Sequence, residues 1–206
     1  MIIDSLKNKY TDLLDDNNKI SFNEKVKTIN KQVKLIEKLV NEFSDFARMP
    51  KPIFKKTNLR KIVDDCLKLM QINDNSIKRD FICAEKILIK ADSEQISRVF
   101  INLIKNSIES LTEKYQKNSE FTKKIIIEIS QINDYIEIQI IDNGTGFNTT
   151  NLSEISKPYF TTKKNGSGLG LSIVVKIIND HNGTIEFLNY KQGAKIKITF
   201  PKLNVS

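Results

Sequence analysis

The sequence predicts an α+β protein: a two-layer α/β sandwich with a mixed, largely antiparallel sheet, preceded by a partial helical hairpin. Three observations predict it. Residues 1–49 carry apolar side chains at alternating steps of three and four. Pro50 and Pro52 then interrupt the chain, and beyond them strand-like and helix-like stretches alternate to the end. Strands joined by short turns and mixed with amphipathic helices fold as a sheet covered by helices.

In the first part, Ile3, Leu6, Tyr10 and Leu13 form one stripe of a helix. Asp15-Asp16-Asn17-Asn18 ends it, and Ser21-Phe22-Asn23-Glu24 reads as a capping box, in which Ser21 and Glu24 each satisfy a free backbone amide. The helix that follows repeats Phe22, Val26, Ile29, Val33, Ile36, Val40, Phe43 and Ala47, a heptad seam that suits a hairpin or bundle. The first stripe is already running at the first residues, as at a truncated end. Met49-Pro50-Lys51-Pro52 is a linker, because proline and the residue before it resist helix. The expected domains are therefore 1–49 and 50–206.

In the second domain, Asn58 is placed to cap a helix running to about Ile72, and 80–83 and 87–90 are short strands. Asp92 caps a long helix to about Tyr115, with Gln95 at the reciprocal capping-box position. Ile125–Ser130 and Tyr135–Ile141 pair around the turn Ile132-Asn133-Asp134. Residues 143–167, rich in Asn, Thr, Ser and Gly, form a long loop in which Pro158, Tyr159 and Phe160 are the expected anchors. A helix from Leu169 to about His181 ends at Gly183 in the left-handed position, and a last strand pair turns at Lys191-Gln192-Gly193.

Composition narrows the function. The chain has 206 residues and a net charge of +8, but its lysines are spread throughout and lack interleaved aromatic platforms, so nucleic acid is not the expected partner. No apolar run approaches the roughly 18 residues that span a bilayer. The start Met1-Ile2-Ile3-Asp4 has no export pattern, so a cytoplasmic location is expected. Cys66 and Cys83 stand apart from each other and from any metal-binding spacing, as reduced thiols do.

Three clusters carry chemistry. Asn102-Leu103-Ile104-Lys105-Asn106-Ser107-Ile108-Glu109 places Asn102 and Asn106 four apart on one helix face, turned towards the core. Asp142-Asn143-Gly144-Thr145-Gly146 follows a strand whose Ile136, Ile138 and Ile140 point to one side, and the period of two sends Asp142 the same way. An inward carboxylate needs a donor, for which an adenine amine is suitable. Gly166-Ser167-Gly168-Leu169-Gly170-Leu171 opens a helix whose free amides suit phosphate. Taken singly, each also reads as an exposed asparagine pair, a strand-exit turn or a glycine-rich loop.

Taken in order, the clusters resemble the ATP-binding domain shared by histidine kinases, gyrase, Hsp90 and MutL. Asn102 to Ser107 resembles its N-box, Asp142-x-Gly144-x-Gly146 its first glycine box, and Gly166-x-Gly168-Leu169-Gly170-Leu171 its second. Pro158-Tyr159-Phe160-Thr161-Thr162-Lys163 resembles the box that histidine kinases add between them. The run Val40 to Pro52 looks like the dimerisation-helix end and linker of nitrogen-regulation kinases of the NtrY type. The resemblance implies ATP and Mg2+ as ligands, with Asn106 holding the metal and Asp142 reading adenine. It implies that Asn102, Gly144, Gly146, Thr162, Lys163, Gly166, Gly168, Leu169 and Gly170 line the nucleotide site, and that 143–167 form a mobile lid.

Two departures follow. The position of the water-activating glutamate in ATP-hydrolysing relatives holds Asn102, which implies transfer to a protein side chain instead. The family's acceptor box of the His-Glu-x-x-Asn-Pro type is absent, and the one histidine, His181 in Asp180-His181-Asn182-Gly183, reads as structural, with Asn182 replacing a family glycine. The expectation is a kinase core truncated before its phosphoacceptor. Its partners would be a histidine-bearing kinase chain, a response regulator and, through the hairpin, a second copy. The alternatives are a non-catalytic nucleotide-binding and dimerisation fragment, or a serine kinase of the anti-sigma-factor type.

Overall fold

The structure is a computed structural model that describes residue 5 and residues 9–71, 76–84, 86–149, 151–163 and 166–203. Ile3 and Leu6 of the first stripe, and the expected helix end at Ile72, lie outside them. The chain divides into two compact units, Met1–Met49 and Pro50–Ser206.

The first unit is dominated by helix α1, Asp16–Ala47, after a single 3-10 turn at Thr11–Leu13. Its cap is Asp15, not Ser21. Asp15 Oδ1 accepts the Asn18 N–H at 2.9 Å and Oδ2 accepts Asn18 Nδ2 at 2.7 Å. A carboxylate taking two donors outcompetes a hydroxyl further along, so Ser21 is absorbed into the helix. Of the seam, Val26 is buried, whereas Ile29, Ile36, Val40 and Phe43 are exposed.

The second unit begins with strand β1, Lys55–Asn58, and helix α2, Leu59–Gln71. It continues through β2 (Lys78–Cys83), β3 (Leu88–Ala91), α3 (Ser93–Lys117), β4 (Lys124–Ile132) and β5 (Tyr135–Asp142). Helix α4 (Gly170–Asp180), β6 (Thr184–Tyr190) and β7 (Gly193–Pro201) complete it. The main sheet has the order β2-β4-β5-β7-β6, parallel between β2 and β4 and antiparallel elsewhere. β1 and β3 form a separate antiparallel pair.

The strands alternate as a one-sided sheet must. Ile125, Ile127, Ile129, Ile136, Ile138, Ile140, Ile196, Ile198 and Phe200 are buried, as are Val63, Phe100, Leu103, Ile104, Leu111 and Ile177 of the helices. Their neighbours Glu128, Glu137, Gln139, Lys195 and Lys197 remain partly accessible. Each fully buried isoleucine contributes about 1.5–3 kcal/mol relative to exposure, so the face that carries Asp142 is fixed by many residues at once.

Four local expectations are corrected. β1 was unforeseen, because Lys55-Lys56-Thr57-Asn58 has no apolar alternation; its one buried side chain, Thr57, donates to Ala91 O at 3.0 Å. Asn58 closes that strand with its side-chain oxygen unpartnered, so it does not cap α2. Gln95 does not complete a capping box: Asp92 takes the N–H groups of Glu94 and Gln95, but Gln95 Nε2 donates to Pro50 O at 2.9 Å. After α4, Asn182 (φ 57°) takes the left-handed position, and Gly183 is the residue after it. The Gly183 N–H reaches Ile178 O and the Asn182 N–H reaches Asn179 O, the paired bonds of a Schellman end. Gly183 is needed for closeness: a Cβ there would stand 2.6 Å from Thr199 O.

Candidate functional site

Helix α3 carries the site along one face. Asp92 fixes where the helix starts, and hydrophobic residues on its inner side hold its rotation. Asn102, Asn106, Ser107, Ser110 and Lys114 follow at steps of four, one, three and four, which keeps them on one stripe. Asn102 and Asn106 are half-buried, less enclosed than the spacing alone implies. Asn102 Nδ2 donates to Arg98 O at 2.9 Å. Its Oδ1 lies 3.2 Å from where a Cβ on Gly170 would stand, so the first and third clusters meet here.

The second cluster meets α3 one turn further on. Asp142 is 6% exposed, and Ser107 Oγ donates to its Oδ2 at 3.0 Å while the Gly144 N–H donates to its Oδ1 at 2.9 Å. Burial pushes the Asp142 carboxyl above the usual carboxylate range, opposed by the Gly144 N–H, the Ser107 hydroxyl, the Ala194 N–H and the Lys114 charge. Ser110 Oγ accepts the Thr145 N–H at 2.9 Å, and Gly144 packs so tightly on Ser110 that a Cβ would stand 2.9 Å from the Ser110 carbonyl carbon. Asn143 turns outward: Oδ1 accepts the Lys124 N–H at 2.8 Å, and Nδ2 donates to Thr122 O at 3.0 Å.

Gly146 has φ 71°, a left-handed conformation that a side chain resists. Just beyond, the Phe147 N–H donates to Asn189 Oδ1 at 2.8 Å, and the Phe147 ring meets Phe187 edge-on at 5.8 Å. Between there and α4, Ile155 is the buried side chain among the described residues of the loop, whereas Tyr159 is 60% exposed. The expected anchoring by Tyr159 is thus made by its backbone alone: the Tyr159 N–H donates to Gly168 O at 3.0 Å. Gly168 (φ 70°) sits against the Tyr159 backbone, 2.7 Å from its Cα to a notional Cβ. Leu169 is buried and precedes α4, whose first turn has no side-chain cap, leaving amides free for an anion.

Thr162 and Lys163 are exposed on the loop, and the Gly166 N–H closes a turn onto Lys163 O at 3.2 Å. Lys163 reaches back to α3. Its ammonium donates to Asn106 Oδ1 at 3.1 Å and forms an ion pair with Glu109. Among the described residues no cluster of three or more His, Cys, Asp or Glu side chains could hold a metal unaided. A magnesium ion carried on phosphates needs only one or two protein oxygens, and this corner already accommodates a cation between two of them.

His181 lies at the other end of α4, 3% exposed. Its Nδ1 meets Ile177 O at 2.7 Å, its Nε2 accepts the Asp92 N–H at 3.0 Å, and its ring packs edge-on against Phe54. No helix among the described residues is long and apolar enough to cross a membrane.

Sequence reasoning did not single out Ser110, Lys114, Ile155 or Asn189, and it placed Glu109 in the first cluster without giving it a role. For the first two a signal existed, the helical spacing Asn106-Ser107-x-x-Ser110-x-x-x-Lys114.

The profile of the histidine kinase-, DNA gyrase B- and HSP90-like ATPases matches residues 91–204. The nitrogen regulation protein NtrY of Azorhizobium caulinodans is 32% identical over 180 residues, covering 86% of this chain and 23% of the relative. The catalytic domain of histidine kinase ThkA is 29% identical with a TM-score of 0.64, covering 73% of this chain and 96% of that one. The structure of ThkA in complex with the response regulator TrrA superposes with a TM-score of 0.72 at 24% identity, covering 98% of this chain and 57% of that one. The chain spans less than a third of the length of the curated relatives it matches.

Proposed function

Because the chain belongs to the histidine kinase-, DNA gyrase B- and HSP90-like ATPase family, we propose that it is the ATP-binding catalytic core of a two-component sensor histidine kinase of the NtrY type. Residues 50–206 are the nucleotide-binding domain and residues 1–49 part of the dimerisation hairpin. One observation carries this reading: Asp142 is a buried carboxylate whose polar neighbours, Ser107 and Gly144, tie it to the helix that bears Asn106.

In that site the Asp142 carboxylate accepts the exocyclic amine of adenine, and Gly144 and Gly146 leave room for the ring. Asn106 holds the magnesium ion, which neutralises phosphate charge when bound. Asn102, Thr162, Lys163 and the backbone at Gly166, Gly168, Leu169 and Gly170 line the phosphates. Lys163 must leave Glu109 to contact them. Asn102 has no basic oxygen for water, so the γ-phosphoryl is held for a histidine nitrogen outside this sequence while ADP is the leaving group. Most of the catalysis is then positioning and electrostatics. The phosphorylated histidine would in turn serve a response regulator, by analogy with the relative ThkA, which is known in complex with one. The unit is assigned to the cytoplasm, where ATP and such a regulator are available.

A second reading, a nucleotide-binding and dimerisation fragment without kinase activity, is favoured by the burial of the sole histidine, His181. The uncovered seam of α1 speaks against an anti-sigma-factor-type serine kinase. Incubation with labelled ATP, alone and with a separate histidine-bearing hairpin, tests the proposal. Acid-labile phosphate on the added hairpin supports the kinase; a folded protein that binds Mg-ATP and labels nothing supports the fragment.

A further inference from the structure

Near the end of α3, Lys114 is half-buried. Its ammonium donates to Asn143 O at 2.7 Å, Gly144 O at 3.0 Å and Gln192 O at 3.2 Å. An ammonium has three protons, so three backbone carbonyls saturate it. The Phe121 ring lies 4.6 Å away on another side. A solvated surface lysine keeps its rotamer freedom; this one is held by three acceptors at once.

All three carbonyls belong to the two turns that bracket Asp142. Asn143 and Gly144 follow it directly, and the Gly144 unit that accepts from Lys114 through its carbonyl donates to Asp142 Oδ1 through its N–H. Gln192 precedes Gly193, where β7 passes so close that a Cβ would stand 2.7 Å from Asn143 Cα.

We propose that Lys114 is a positioning residue for adenine recognition, clamping the Asn143–Gly144 turn to the β6–β7 turn and thereby holding the Asp142 carboxylate in the orientation that meets the base. This rests on the assignment of Asp142 as the adenine acceptor. The groups that face Asp142 are Ser107 from α3, Gly144 from the loop, Ala194 from β7 and Lys114, and of these Lys114 alone carries charge. Without it, the buried carboxylate keeps only neutral donors against the cost of burial.

The test uses the full chain with Lys114→Met, which keeps the stem and removes the charge, and Lys114→Arg, which keeps the charge. The Asp142 carboxyl is titrated by carbon NMR without nucleotide, and ATP and GTP binding are measured by calorimetry with magnesium. Lys114→Met is expected to raise the Asp142 midpoint, weaken ATP about tenfold and narrow the preference for ATP over GTP. Lys114→Arg should restore the midpoint. A folded Lys114→Met protein with an unchanged midpoint, losing ATP and GTP equally, overturns the proposal. Should that variant not fold, Lys114→Gln is held to the same outcomes. If the unmodified chain binds no ATP, the adenine assignment fails, while a shifted midpoint would still establish the link from Lys114 to Asp142.

Discussion

The backbone N–H of Asp92 is bound by Nε2 of His181, 3.0 Å away and 89 residues later in the chain. The imidazole thereby takes the capping-box place that Gln95 leaves vacant, joining the start of α3 to the end of α4. With Nδ1 against Ile177 O, a single neutral tautomer satisfies both nitrogens. The one in-plane lone pair, on Nε2, accepts the Asp92 N–H and is not free to attack a phosphorus atom, and α4 separates His181 from the phosphate-facing amides by about 16 Å at 1.5 Å per residue. This chain is expected to incorporate no acid-labile, base-stable phosphate from labelled ATP. His181→Gln should leave that null result unchanged and lower unfolding stability by about 1–3 kcal/mol. Labelling lost in His181→Gln would overturn the structural role.

Asp142 ties affinity and stability to pH in opposite directions. Its carboxyl titrates above the usual range, chiefly because it is buried. A raised folded-state pKa contributes stability below the unfolded value and loses it as pH rises through the folded value. At neutral pH the charge therefore opposes folding, and Asp142→Asn should be as stable as the parent or more so in a denaturant titration. Adenine recognition needs the ionised acceptor, so adenosine binding should fade on acidification at a higher pH than an ordinary aspartate would give. The Asn variant should bind ATP about tenfold or more weakly and let GTP compete more evenly.

Asn106→Asp should alter the magnesium dependence more than base preference. The new carboxylate attracts Lys163 as well as the ion, so the ammonium becomes harder to displace. Calorimetry with Mg-ATP and with ATP in chelator should show the variant losing the difference between them, while the ratio of ATP to GTP affinity stays within about twofold, a span of a few tenths of a kcal/mol. Equal loss of all purines in this variant and in Asp142→Asn would mean that the two roles are wrongly divided.

The 143–167 loop should exchange its amide hydrogens unevenly. Protection is expected at Phe147, pinned by Asn189, and around buried Ile155. The described residues 160–163 and 166–167 have few buried contacts and should open at low free-energy cost without ligand, then slow with nucleotide. Uniform slow exchange in the nucleotide-free protein would contradict a lid.

Asp92 adds an acid-sensitive term of its own. Partial burial works against its charge, but the N–H groups of Ile53, Gln95 and Glu94 hold its carboxyl below the usual range. A depressed pKa gives stability that is present above the unfolded value and lost as pH falls through the folded one. Asp92→Ala should cost about 1–2 kcal/mol at neutral pH and flatten the acid limb of the thermal-unfolding profile.

Sequence made visible what is local or periodic. The inward direction of Asp142 follows from the strand period of two, and the glycine clusters and the Asp92 cap lie within a few residues of what they serve. What stayed hidden depends on partners far along the chain. Nothing in Lys55-Lys56-Thr57-Asn58 announces a strand until β3 is beside it. Asn182 and Gly183 are both tolerant of the left-handed region, and only Thr199 and Phe200 across the sheet decide which residue must lack a side chain. Ser110 and Lys114 read as ordinary helix residues, and only the docked Asp142 turn gives them a role.

That docking makes α3 a screw thread with two nuts. Asn102 engages the first residue of α4 and Asn106 the loop before it, and Ser107, Ser110 and Lys114 engage the end of β5 and the turn after it. Each residue along the thread advances it by about 100°, so one amino acid inserted between Asn106 and Ser107 would swing the base end a quarter-turn or more away from the phosphate end. Both ends would remain chemically intact and no longer address the same molecule. Deletions and insertions in the exposed loop leave that phase untouched, so variation in length should be tolerated there and excluded from the thirteen residues from Asn102 to Lys114.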